Sequence, residues 1–147
     1  MATAAIIHPE PKVIPLAEAD LAGVEELFDQ QCREWLELFK WDYSGPSRLI
    51  REVLRQRDLT GFAAIVEGAV VGFAFYVVEG GRGSLGDLYV AKPWRGAEVA
   101  ISLATAVLAH LDRLPRLRRI ESQCVTVGHT GLVEFFRRRG FKHLDRH

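Results

Sequence analysis

The chain has 147 residues, 48% of them hydrophobic, with 19 Lys and Arg balanced by 19 Asp and Glu. This suits one domain with a single core and is too apolar for a disordered chain. Zero net charge argues against a general nucleic-acid binder, and no apolar run is long enough to cross a bilayer.

Residues 1–11 read as a flexible tail ahead of one domain over residues 12–147. The opening MATAAIIHPEPK lacks the charged and apolar regions of a secretory signal, which points to a cytoplasmic protein. Lys12–Leu16 reads as a short strand, with Pro15 placing it at an edge or end. Asp20 stands at the entry of a helix. Its apolar positions Leu21, Val24, Leu27 and Phe28 continue through Cys32, Trp35, Leu36 and Phe39 at helical spacing. Trp41–Ser47 (WDYSGPS) breaks this pattern at Gly45-Pro46. Ser47 is placed to cap a second helix reaching about Arg57, with Leu49, Ile50, Val53 and Leu54 on its apolar face.

Gly61–Val66 and Val70–Val78 then read as two strands of a hairpin turned by Glu67-Gly68-Ala69. Gly80–Gly83 makes a second turn, and Ser84–Ala91 completes an antiparallel meander. Ala97 to about Leu114 is a helix ended by Pro115. Arg118–Val127 is a strand reached by a strand–helix crossover, so it lies parallel to Ser84–Ala91. Thr130–Arg139 is a short helix closed by Gly140, and Phe141–His147 starts another strand. Cys32 and Cys124 lie far apart without metal-ligand spacing, so they read as reduced thiols, and no metal is expected.

Asp87–Ala100 (DLYVAKPWRGAEVA) carries the clearest functional signal. A strand leads through Arg95-Gly96 into a helix start, where unpartnered N–H groups and the positive end of the dipole favour an anion such as phosphate.

Three motifs sit in this order of elements. Val90–Gly96 (VAKPWRG) looks like a V-x-P-x-x-R-G turn with Pro93 displaced by one, followed by Val99-Ala100-Ile101. Glu134–Phe141 (EFFRRRGF) looks like a closing F/L-Y-x-x-x-G-F signature. Gly61–Val78 fits a central hairpin with Gly72 in a V-x-G setting. Together they resemble the GNAT superfamily of acyl-CoA-dependent N-acyltransferases over nearly the whole chain. The resemblance implies an α/β fold with a mixed, mostly antiparallel sheet and helices on both faces. Its parallel strand pair would splay apart beyond a bulge in the first strand.

The resemblance also implies acetyl-CoA or another acyl-CoA as co-substrate, with no metal. Leu88, Tyr89 and Val90 would offer main-chain groups to pantetheine. The pyrophosphate would sit on the turn formed by Arg95, Gly96, Ala97, Glu98, Val99 and Ala100, with the Arg95 cation beside it. Arg137 or Arg138 would reach the nucleotide phosphates. His129 stands where an Asn often begins the last helix, and reads either as a helix-entry residue or as a ligand-facing imidazole.

The implied reaction is direct attack by a primary amine of a small molecule or peptide. The Leu88 N–H would stabilise the oxyanion. Asp87, alternating with Leu85 and Tyr89 on one face, is the first candidate for the base. Trp41 and Tyr43 would wall the acceptor site. Ser122 and Cys124 lie on the opposite strand of the wedge, but Cys124 lacks a visible base to make it a nucleophile.

The sequence departs from the family pattern at three places. Glu98 replaces a glycine of the phosphate loop and brings a negative charge. Phe136 stands where many members have a Tyr that protonates the leaving thiolate. Only Lys142–His147 follow Phe141, so the family's final strand is missing or supplied by a partner, which favours a homodimer. Glu98 and Phe136 keep open a second reading, a catalytically weak ligand-binding or assembly module of the same fold.

Overall fold

The computed structural model describes residues 10–122 and 130–142. Among the described residues, five strands form one sheet in the order β1-β2-β3-β4-β5. They are β1 (Lys12–Pro15), β2 (Gly61–Val66), β3 (Ala69–Glu79), β4 (Arg82–Val90) and β5 (Arg119–Ser122). The first four pair antiparallel. β4 and β5 pair parallel from Arg82↔Arg119 to Leu85↔Ser122, as a crossover through a helix requires. The helices are α1 (Leu21–Phe39), α2 (Ser44–Arg55), α3 (Ala97–Leu111) and α4 (Thr130–Arg138).

The sheet separates two cores. On one face, Ala63, Phe73, Phe75 and Tyr89 pack with Val24, Leu27 and Phe28 of α1 and Leu54 of α2. On the other, Ala64, Ala74, Leu85, Leu88 and Val90 pack with Leu103, Val107 and Leu111 of α3 and with Leu132 and Phe136 of α4. Removing a side chain such as Leu103 to Ala would cost about 2–5 kcal/mol, because the surroundings cannot fully collapse into the void.

Local chemistry accounts for most boundaries. Asp20 caps α1, its Oδ2 accepting from the Gly23 N–H at 3.1 Å. Glu67-Gly68 and Gly80-Gly81 both take positive φ at two successive residues, the conformation that matches the twist of a two-residue hairpin. Gly140 ends α4 at φ 88°.

The second helix begins earlier than its sequence suggests. Tyr43 is the N-cap, and Ser47 lies buried inside the first turns rather than capping them. Asp42 Oδ1 accepts from both the N–H and the hydroxyl of Ser44. Pro46 is tolerated because the first turn needs no N–H donor there. α3 ends at Leu111, and the following residues close tighter turns through Arg113 N–H to His110 and Leu114 N–H to Leu111. A single 3-10 turn at Leu16–Glu18 joins β1 to α1.

β4 contains a bulge. Ala74 pairs with Leu88 but Tyr76 pairs with Leu85, so Gly86 and Asp87 together oppose Phe75. A Cβ at Gly86 would lie 2.5 Å from Phe75 Cε2, which reserves the position for glycine. The extra residue resets the alternation. Leu85 faces α3 together with Leu88 and Val90, while Asp87 and Tyr89 face α1. The sequence expectation that Leu85 shares a face with Asp87 is therefore corrected.

Two expectations lie wholly or partly outside the described residues. The strand expected over 118–127 is described as Arg119–Ser122, and Cys124 and His129 are not described. Phe141 and Lys142 are not in a strand, and residues 143–147 are not described.

Candidate functional site

Asp87 is the centre of the polar arrangement on the α1 face. Its Oδ2 accepts from the Tyr43 hydroxyl at 2.6 Å and from Gln31 Nε2 at 3.3 Å. Among the described residues, no partner meets Oδ1. Burial pushes the Asp87 carboxyl above the usual carboxylate range, and the two hydrogen bonds pull it partly back. The Tyr43 hydroxyl is itself pushed far above its ordinary range, first by burial, then by its hydrogen bond to Asp87 and by the charge there. It therefore stays protonated and donates to the Asp87 carboxyl.

Gln31 is fully buried on α1, and its Oε1 has no partner among the described residues. It lies four residues after Leu27 and four before Trp35, so a polar residue interrupts the apolar stripe of the helix. That interruption was the available sequence signal for this residue.

Three aromatic rings continue from Tyr43. Trp35 stacks on Trp41 at 5.0 Å between centroids, and both contact the Tyr43 ring at under 5 Å. Trp35 and Tyr43 are buried, whereas Trp41 is 45% exposed and presents a free face. The loop after α1 holds Trp41 and Tyr43 in place, with Lys40 in the left-handed conformation at the helix end.

The end of β4 carries a second cluster. Ala91 N–H donates to Val71 O, so the alternation of antiparallel pairing turns the main-chain groups of Tyr89 toward β3. Those of Leu88 and Val90 turn to the opposite side of the strand. Arg95 does not project outward from its turn. Its guanidinium forms a bidentate pair with Glu34 of α1, with Nη1 to Oε2 at 2.7 Å and Nη2 to Oε1. Its Nε donates to the Val90 carbonyl at 3.0 Å, and the group lies 5.4 Å from the Tyr89 ring centre. The hydrogen bond from Arg95 holds the Glu34 carboxyl below its ordinary range against the opposing effect of burial. Burial pushes Tyr89 up to about 12, with Glu34 adding to the rise. Glu34 and Arg95 are 61 positions apart, so no local pattern connects them.

A short 3-10 turn at Lys92–Trp94 leads from β4 to α3. Gly96 is the N-cap of α3 with extended backbone and no side-chain capping bond, and the space where its Cβ would stand is open. Among the described residues, no side chain accepts from the first N–H groups of α3. Glu98 is exposed in that first turn, while Val99 and Ala100 are buried against the sheet. Phe136 is buried against Phe135 and Phe141 and serves as core. Arg137 and Arg138 are exposed and both meet Glu134. Among the described residues, no cluster of His, Cys, Asp or Glu is arranged to hold a metal, and no helix is long and apolar enough to cross a membrane.

A profile of the acetyltransferase (GNAT) family matches residues 22–141. The chain belongs to the GNAT acetyltransferase family. No curated protein matches its sequence. Solved structures share the GNAT fold at low identity. A PaiA N-acetyltransferase from Thermoplasma acidophilum, in complex with coenzyme A, superposes with TM-score 0.65 at 15% identity, covering 92% of this chain and 93% of that one. A predicted acetyltransferase from Clostridium acetobutylicum with acetyl-CoA gives TM-score 0.63 at 12% identity, covering 93% of each chain. An aminoglycoside acetyltransferase from an uncultured soil metagenomic sample, in complex with sisomicin, gives TM-score 0.62 at 20% identity, again covering 93% of each. In this GNAT chain the bulge of β4, the helix start at Gly96 and the Asp87 network lie along one strand–turn–helix unit.

Proposed function

We propose that the chain is an N-acyltransferase that moves an acetyl or other acyl group from acyl-CoA to a primary amine of a small molecule by direct attack. The observation that carries this reading is Asp87. It is a carboxylate raised by burial, fixed through one oxygen, and set by the bulge immediately before the main-chain groups of Leu88.

Acyl-CoA would supply an activated thioester and a good leaving thiolate. The residues present fit it at one described feature, the start of α3. Among the described residues no side chain caps this helix, and space is open at Gly96, which suits pyrophosphate oxygens on the N–H groups of Gly96–Ala100. Leu88 and Val90, with main chain turned away from β3, would pair with pantetheine in the manner of an added strand. The Leu88 N–H would stabilise the charge developing on the thioester oxygen.

Asp87 would take the amine proton on Oδ1 while Tyr43 and Gln31 hold Oδ2. A positioned base of this kind contributes ~10²–10⁴-fold. Trp41 and Tyr43 would form the acceptor wall. The aminoglycoside acetyltransferase among the structural neighbours supports a small-molecule acceptor over a peptide.

One observation favours a second reading. Glu98 is exposed at the helix start where the phosphates would lie. Its charge opposes theirs, which suits a ligand-binding or assembly module of the same fold. Measuring free-thiol release from acetyl-CoA across a panel of small amines tests the two. Amine-dependent release supports the transferase; CoA binding with no release by any amine supports the module.

A further inference from the structure

We propose that Arg95 acts as a positioning residue, locked to Glu34 so that α1 and the end of β4 move as one, and leaves the CoA phosphates to main chain. The proposal rests on the acyl-CoA reading above.

All three guanidinium nitrogens of Arg95 are already engaged. Nη1 and Nη2 meet the two oxygens of Glu34, and Nε meets the Val90 carbonyl. The side chains of the pair are only 11% and 17% exposed. A planar fork against a carboxylate fixes direction as well as distance. Turning Arg95 outward to a phosphate would break these bonds and leave Glu34 half-buried without its bidentate partner. Lys92 also acts on Glu34 electrostatically, but no hydrogen bond joins the two.

The geometry also names what is being positioned. Val90 lies where β4 offers main chain away from β3, and Tyr89 lies beneath the guanidinium at 5.4 Å. Glu34 comes from α1, which carries Gln31 of the Asp87 network and Trp35 of the aromatic cluster. The ion pair therefore ties the acceptor side of the molecule to the donor side, although by this account neither member touches either substrate.

The test is calorimetry with two probes, CoA and acetyl-pantetheine, the second lacking pyrophosphate and nucleotide. It uses the wild type, Glu34→Gln, Arg95→Gln, the double variant and Arg95→Lys, each checked for folding by near-UV circular dichroism. Positioning predicts that each single variant weakens both probes by about tenfold, the effect of losing one charged hydrogen-bond pair. The double variant should be no worse than either single one. Arg95→Lys keeps the charge without the fork and should behave like Arg95→Gln. The proposal is overturned if Arg95→Gln weakens CoA alone, if Arg95→Lys retains CoA affinity, or if no variant matters. Wild-type protein that binds neither probe overturns the acyl-CoA reading itself, a separate outcome.

Discussion

Removing the Tyr43 hydroxyl tests the acid–base assignment most sharply. In Tyr43→Phe, Asp87 loses its 2.6 Å donor and keeps only Gln31 at 3.3 Å. Burial already raises this carboxyl, and Tyr43 is the first of the two groups that lower it. A hydrogen bond to a charged group contributes about 1.5–3 kcal/mol, and one pH unit corresponds to about 1.4 kcal/mol. With Gln31 and water taking up part of the loss, the Asp87 pKa should rise by about one pH unit. The acid limb of kcat/KM for amine-dependent thiol release should therefore move to higher pH by that amount, with most of the plateau recovered above it. Titration of the amine itself affects both proteins alike, so the difference isolates Asp87. A limb that stays in place while the plateau falls would mean that Tyr43 only packs, or that Asp87 is not the titrating base.

Three further outcomes follow from the same geometry. Asp87→Asn should lower amine-dependent turnover by ~10²–10⁴-fold without lowering thermal stability at neutral pH. Because the folded carboxyl is raised, its stabilising contribution is complete below the unfolded pKa and is lost as pH rises through the folded one. Wild-type stability should therefore fall relative to the Asn variant as pH rises through that range, and a difference that runs the other way would contradict that sign. Gly86→Ala places a Cβ 2.5 Å from Phe75 Cε2, and overpacking of this kind costs about 1–3 kcal/mol in chemical denaturation; an unchanged midpoint would refute the steric account of the bulge. Glu98→Gln should tighten CoA about threefold at low salt, with the gain fading at high salt, since a unit charge in water at close range acts with about 1 kcal/mol or less. The same change should slightly destabilise α3, which loses an acid at its N-terminus.

Much of the architecture was legible because small residues punctuate it. Gly68, Gly80 and Gly81 mark hairpin turns whose positive φ favours glycine, and the crossover through α3 fixes β5 as parallel to β4. The start of α2 was misread because Pro46 looks like a breaker, yet a first helical turn accepts it. The face assignment of Leu85 failed because one inserted residue at Gly86–Asp87 shifts the strict period of two.

Within the candidate site, Asp87, Tyr43 and Trp41 stand out from the sequence, and the structure brings them together on one side of the sheet. Gln31 was hidden in an apolar stripe that tolerates an occasional polar residue. Glu34 was invisible for a different reason. Its partner Arg95 reads locally as a free cation in an anion-binding turn, and only the packing of α1 against the end of β4 shows where that cation goes.

The proposed acyl-CoA site is the turn from β4 into α3. Titrating acetyl-CoA into the folded wild-type chain by calorimetry measures this directly. Saturable binding of one acetyl-CoA per chain is expected. No heat of binding from protein whose circular dichroism confirms a folded state would contradict it.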